Sequence, residues 1–123
     1  MKNLFEQFGG EQAVILVVKE FYERILIDPE LSPFFIGIDL SALQRKQKWF
    51  ITSILMSSTE GTASYMERAH RKLVRKKGLN ENHFDKAIAH LDMATQNAKI
   101  EQEPREKLIM SAKLLKHAVL GNT

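Results

Sequence analysis

The sequence predicts an all-α fold, and three observations carry that reading. Apolar residues return at three- and four-residue spacing in one segment after another, the stripe of an amphipathic helix. Breakers separate those segments: Gly9-Gly10, Asp28-Pro29, Ser32-Pro33 and Gly78. The β-branched cluster Val14-Ile15-Leu16-Val17-Val18, which by itself would also suit a buried strand, continues into Lys19-Glu20-Phe21-Tyr22-Glu23-Arg24 without a turn residue.

Leu4 to Phe8 forms a short opening turn that Gly9-Gly10 ends. From Glu11, the residues Val14, Val17, Val18, Phe21 and Ile25 define a long helix. Asp28-Pro29 and Ser32-Pro33 then break the chain, because a residue before proline is pushed out of the α region. Asp39 or Ser41 caps the next helix, expected to reach about Ser57, with Ser57–Thr62 as a loop. A shorter helix is expected from about Ser64 to Lys76, closed by Gly78. Asn80 caps a helix running to about Ala98. Pro104 suits the first turn of a final helix that carries Leu108, Ile109, Ala112, Leu115 and Val119 to the end.

Residues 1–123 are expected to form one domain, a length that buries an independent core. Cysteine is absent, which excludes disulfides, thiolate metal sites, cysteine nucleophiles and thioether attachment of a cofactor. The N-terminus lacks a basic region followed by an apolar run, and no stretch has the roughly 18–20 apolar residues of a membrane span. A cytoplasmic protein without a membrane partner is the expectation.

The net charge of +3 is concentrated in Arg68, Arg71, Lys72, Arg75, Lys76 and Lys77. A solvated helix end accounts for this run, since cations suit a helix C-terminus. Holding the carboxylates of a bound cofactor is the first rival reading and contact with nucleic-acid phosphates the second, against which the scarcity of interleaved aromatics counts.

The chemistry-bearing residues fall into two faces. Met66, His70 and Leu73 sit at i, i+4 and i+7 of one helix, an imidazole between two apolar neighbours. Leu43, Gln47 and Phe50 have the same relation on the helix before it. Upstream stand Phe21-Tyr22 and Phe34-Phe35. Each has an ordinary structural reading: His70 as a half-buried histidine with one hydrogen bond, Tyr22 as a core tyrosine, Gln47 as an exposed amide, and the phenylalanines as generic core. Their order and spacing are the informative part.

That ordered set, from about Leu4 to about Leu91, resembles the truncated haemoglobins, in particular their group I branch. The resemblance implies a 2-over-2 helical sandwich around haem b, iron protoporphyrin IX. It aligns His70 with the proximal iron ligand and Tyr22 and Gln47 with the donors that hydrogen-bond a bound diatomic ligand. Phe35 is placed against the porphyrin face, with Leu43 and Phe50 on the distal wall and Met66 and Leu73 beside the proximal histidine. Leu79 and Phe84 complete the proximal side.

Lys46 is expected to reach outward to a haem propionate. A deprotonated Lys46 amine on iron and a solvated side chain are the alternatives, since some relatives place a sixth ligand at this position. Some relatives also join a C-terminal histidine covalently to haem, but the match there is too loose to carry that onto His117. The second Gly-Gly expected after the distal helix is absent; Ser57-Ser58 and Gly61 stand there.

The implied partners are dioxygen, nitric oxide and carbon monoxide, with a reductase if the protein turns nitric oxide over, and a monomer is favoured. Reversible oxygen binding, in the sense of oxygen transport or storage, is preferred over nitric oxide dioxygenation. A cofactor-free helical interaction module is the alternative from a different class, in which His70 is incidental.

Overall fold

The computed structural model describes residues 3–56 and 62–121, and every regular element among them is helical. The first, α1 (Leu4–Phe8), is capped by Asn3, whose side chain accepts the Glu6 N–H at 2.8 Å. Gly9 ends it with φ +119°, and a Cβ there would stand 2.6 Å from that of Ala13, so the turn into α2 (Gly10–Leu26) admits glycine alone. The stripe expected for α2, Val14, Val17, Val18, Phe21 and Ile25, is buried, and Tyr22 is buried beside it.

The two prolines produce a 3₁₀ turn, Ser32–Phe35, in place of helix. Helix α3 (Leu40–Leu55) starts on Asp39, whose carboxylate accepts the Ala42 N–H at 3.3 Å, so Asp39 and not Ser41 is the cap. It stops two residues short of the expected Ser57. Of the loop expected over Ser57–Thr62, residues 57–61, with the altered second glycine pair, lie outside the described residues, and Thr62 already belongs to the next helix.

Helix α4 (Thr62–Lys77) begins before the expected Ser64 and ends at Gly78, with φ +74°. Helix α5 (Glu81–Asn97) carries a reciprocal cap: the Asn80 side chain accepts from His83 N–H, and His83 Nδ1 accepts the Asn80 N–H.

The predicted final helix is two helices, α6 (Gln102–Lys113) and α7 (Lys116–Leu120). No glycine or proline marks the break. At Leu115 the N–H bonds Ala112 three residues back, and the chain turns there. Tertiary packing is the cause: α6 buries Leu108, Ile109 and Ala112 against α5, α1 and α3, whereas α7 buries Val119 and Leu120 and packs on α4.

Helices α2 and α3 pack on one another and on α5 and α6, which also pair, so two helix pairs face each other across a common core. Phe8, Val14, Val17, Ile51, Leu55 and Leu108 are almost completely buried in it. Among the described residues, no helix is long and apolar enough to cross a membrane.

A polar tie crosses this core. Asp28, buried at the end of α2, accepts from His90 Nε2 at 2.8 Å, Lys86 Nζ at 3.1 Å and the Glu30 N–H at 2.9 Å. Its backbone carbonyl accepts Leu31 and Ser32 N–H. The chain between α2 and α3 is thereby fixed to α5. The His90 bond, with the Glu30 N–H and Lys86, holds the carboxyl far below the usual carboxylate range despite burial.

A lowered folded-state pKa adds stability that is full above the unfolded value of about 4 and is lost as pH falls through the folded value. Asp28→Asn is expected to cost about 1.5–3 kcal/mol at pH 7, the range for hydrogen bonds to a charged group. Thermal melts of both proteins from pH 7 to pH 2 check this. The gap should narrow below about pH 4, and a gap constant across the range would show that the charge is not responsible.

Candidate functional site

Helix α4 is apolar on one side only. Met66 is buried, Leu73 and Val74 are half-buried, and its cations point out. His70 lies on the inward side, half-buried. Its Nδ1 contacts the Met66 carbonyl oxygen at 2.8 Å, one helical turn back. A carbonyl only accepts, so the proton resides on Nδ1 and the Nε2 lone pair is free. Nε2 has no hydrogen-bond partner among the described residues. Burial pushes the imidazole below its ordinary range, outweighing the Met66 bond, which acts to raise it. A neutral imidazole with one nitrogen tied to a carbonyl and the other open has the form of a metal ligand.

Tyr22 is 4% exposed on α2, with its ring edge-on to Phe21 at 5.0 Å and to Phe35 at 6.1 Å between centroids. Its hydroxyl makes no hydrogen bond among the described residues. Burial raises its pKa above the ordinary phenol value, and the Tyr65 phenol adds to the shift, so the O–H stays a donor.

On α3, Phe50 is buried, Leu43 and Gln47 are half-buried and Lys46 is exposed, the order that i, i+4 and i+7 spacing dictates. Neither Gln47 nor Lys46 has a hydrogen-bond or ion-pair partner among the described residues. Lys46 therefore has its charge in solvent at the edge of α3.

One apolar cluster joins these residues. Tyr22, Phe50, Met66 and Phe84 belong to the core, and Phe35, Leu43 and Leu79 pack against it while remaining partly uncovered. Leu73 is half-buried but stands apart from that cluster. Phe84 is covered by Lys116, whose Nζ lies 5.8 Å from the ring centroid, and it borders a cavity of about 520 Å³ between α5, α6 and α7.

The other histidines have different employment. His83 closes the α5 cap and meets Phe34 edge-on at 4.9 Å. His90 binds Asp28. His117 is exposed on α7.

Two residues escaped the sequence reading. Tyr65 lies within electrostatic reach of Tyr22 and edge-on to Trp49 of α3, 5.3 Å between centroids, bridging the walls at a point where α3 and α4 do not otherwise pack along their lengths. Its position five residues before His70 was the available signal. Asp28 read only as a breaker, because its partners are 58 and 62 residues away.

No group of three or more His, Cys, Asp or Glu among the described residues forms a metal site. A lone open imidazole, two unpartnered donors and a partly uncovered apolar rim fit a metal carried inside its own macrocycle. Haem needs one axial ligand of this kind, and the residues present fit it.

The comparisons with known proteins agree with that class. The profile of the bacterial-like globin family matches residues 3–121, and the chain belongs to that family. It is similar to the group 1 truncated hemoglobin of Synechocystis sp., 40% identical over 95 residues that make up 77% of this chain and 76% of that one. Over 121 residues, 98% of this chain and 99% of the relative, it is 29% identical to the group 1 truncated hemoglobin of a Nostoc species. Among solved structures it is similar to the 2/2 hemoglobin of a Synechococcus species in the cyanomet state with covalently attached heme. The TM-score there is 0.85, at 26% identity, with 98% of this chain and 99% of that one covered. The fold is that of the truncated globins, two helices over two, and the class is haem-based ligand binding.

Proposed function

We propose that this protein binds dioxygen and other diatomic gases reversibly at a haem b held by His70, with Tyr22 and Gln47 donating hydrogen bonds to the ligand. The observation that carries the reading is the Met66–His70 bond of 2.8 Å, which fixes the histidine tautomer and leaves Nε2 open. Haem, when bound, supplies the iron whose open coordination position takes the gas. The remaining work belongs to the chain.

Met66 orients the imidazole and keeps it from turning about its bonds to the backbone. Burial keeps His70 neutral, so the ligand lone pair is available at neutral pH. Phe35, Leu43 and Phe50 supply apolar contact with the ring system, as do Met66, Leu73, Leu79 and Phe84 on the proximal side. The same apolar cover excludes water, which strengthens any hydrogen bond made within it. Tyr22 and Gln47 reach the ligand as neutral donors from two different helices. Lys46, exposed and unpaired, places its ammonium group toward a propionate.

Nitric oxide dioxygenation would use the same donors, because it too begins from a stabilised oxygen complex. Binding without turnover is the reading adopted, with a monomer as the functional unit.

The visible spectrum of the purified protein tests the cofactor. A Soret band is expected in the wild type, with His70→Ala losing most of its haem and His83→Ala and His90→Ala retaining it. A His70→Ala protein with full haem content and an unaltered spectrum would refute the assignment of the ligand.

Stopped-flow oxygen dissociation tests the donors. Tyr22→Phe keeps the ring and removes one bond, and a loss of about 1.5–3 kcal/mol corresponds to roughly 10- to 150-fold faster release. Gln47→Leu should act in the same direction. The two effects should not add, since both donors address one ligand. Unchanged release in both variants would exclude this donor pair.

Lys46→Ala is expected to speed haem loss to an acceptor protein while leaving the ferric spin state unchanged. A low-spin ferric spectrum at neutral pH that disappears in the variant would place the lysine on iron instead.

A further inference from the structure

The structure gives the basic run on α4 a definite geometry. Helix α4 carries six of the chain's eighteen cations and one of its fifteen acids, a net +5. The other twelve cations and fourteen acids leave the rest of the molecule at −2. The whole positive surplus of the protein therefore sits on the helix that bears His70.

Arg71 is paired with Glu67. Arg68, Lys72, Arg75, Lys76 and Lys77 are exposed and make no ion pair among the described residues. Arg68 and Arg75 are felt only at a distance, where they help to depress Glu67. By helical periodicity, Arg68, Lys72 and Arg75 project from the side opposite Met66, His70 and Leu73. A partner docked on them stands about one helix diameter, 10–12 Å, from the His70 side.

Three classes of partner answer to unpaired cations, and the surface discriminates among them. The apolar residues of α4 turn inward, and none of its large apolar side chains is exposed, so the helix offers nothing to insert into a bilayer. Tyr65, its one aromatic residue, is engaged with Trp49, which leaves no stacking platform for bases. A protein with an acidic surface needs neither feature, and charge complementarity alone steers such an encounter.

We infer that the outer face of α4, centred on Arg68, Lys72 and Arg75, is the docking surface for an acidic electron-carrier protein. This rests on the haem reading above. The reduced carrier would give one electron to ferric haem iron and be oxidised by one, leaving the iron ferrous. The basic face thus serves the one state of the protein that cannot bind dioxygen.

Anaerobic stopped flow with the haem-loaded protein and a photoreduced acidic plant-type ferredoxin tests the proposal. The second-order reduction rate should fall about tenfold or more between ~10 mM and ~0.5 M salt, as steering is screened. The triple variant Arg68→Gln/Lys72→Gln/Arg75→Gln, which keeps good helix formers, should react about tenfold more slowly at low salt and equally at high salt. Lys72→Glu provides a single-site check. Reduction by photogenerated deazaflavin radical should be the same in all variants.

Titration of isotope-labelled protein with oxidised ferredoxin should shift the backbone amides of α4 first. That readout needs no electron transfer, so it separates a failed docking surface from a failed haem assignment, which the Soret band reports independently. Equal rates for wild type and triple variant at low salt, or shifts confined to other helices, would overturn the proposal. So would tighter binding of duplex DNA or phosphatidylserine vesicles than of ferredoxin at ~150 mM salt, lost in the same variant.

Discussion

Asp28 is the constraint on which the arrangement turns. A carboxylate at the end of α2 is taken out of water and repaid by three donors, two of them from α5. Such a buried charge tolerates little displacement, because losing one partner leaves it uncompensated. It holds the turn that presents Phe34 and Phe35, and through that turn it fixes the angle at which α3 leaves α2. Phe34 then seats on His83 at the start of α5, and Phe35 on Tyr22. The tie adds to apolar burial in keeping the two helix pairs in register.

Within that frame the candidate site is built from neutral groups. His70 is held neutral by burial, Tyr22 is held protonated by burial, and Gln47 carries no charge. Charged groups are kept to the rim, where Lys46 and the α4 cations lie in water. The separation is physically coherent. Neutral donors polarise a small ligand without the solvation cost of a buried ion, and the rim charges remain free to meet anionic groups from outside.

Local signals were legible in the sequence and non-local ones were not. Asp39, Gly78 and Asn80 mark helix ends because capping is decided within four residues, and each performs that role. The faces of α2, α3 and α4 followed from periodicity, which is why Gln47 and His70 were found on half-buried positions, whereas the burial of Tyr22, off the expected stripe of α2, was not marked by it. The ordered resemblance to truncated globins supplied the meaning of those positions, which periodicity alone left open. The break at Leu114-Leu115 carries no sequence mark, since Leu108, Ala112, Leu115 and Val119 continue one stripe through it. Only the competing demands of α5 and α4 for the two halves of that stripe force the turn. The Asp28–His90 bond spans 62 residues and has no local trace at all.

The break between α6 and α7 has a wider consequence. Because α7 lies on α4 instead of extending α6, the end of the chain acts as a buttress for the helix that offers the imidazole. Val119 and Leu120 belong to the same apolar core as Tyr22 and Phe50, so they join the seat of α4 to the common core. Different segments support the two walls: the turn after α2 presents Phe35 to Tyr22, and the final five-residue helix backs the helix of His70. On the haem reading proposed above, one segment would bear on how a ligand is gripped and the other on how the iron is held from behind.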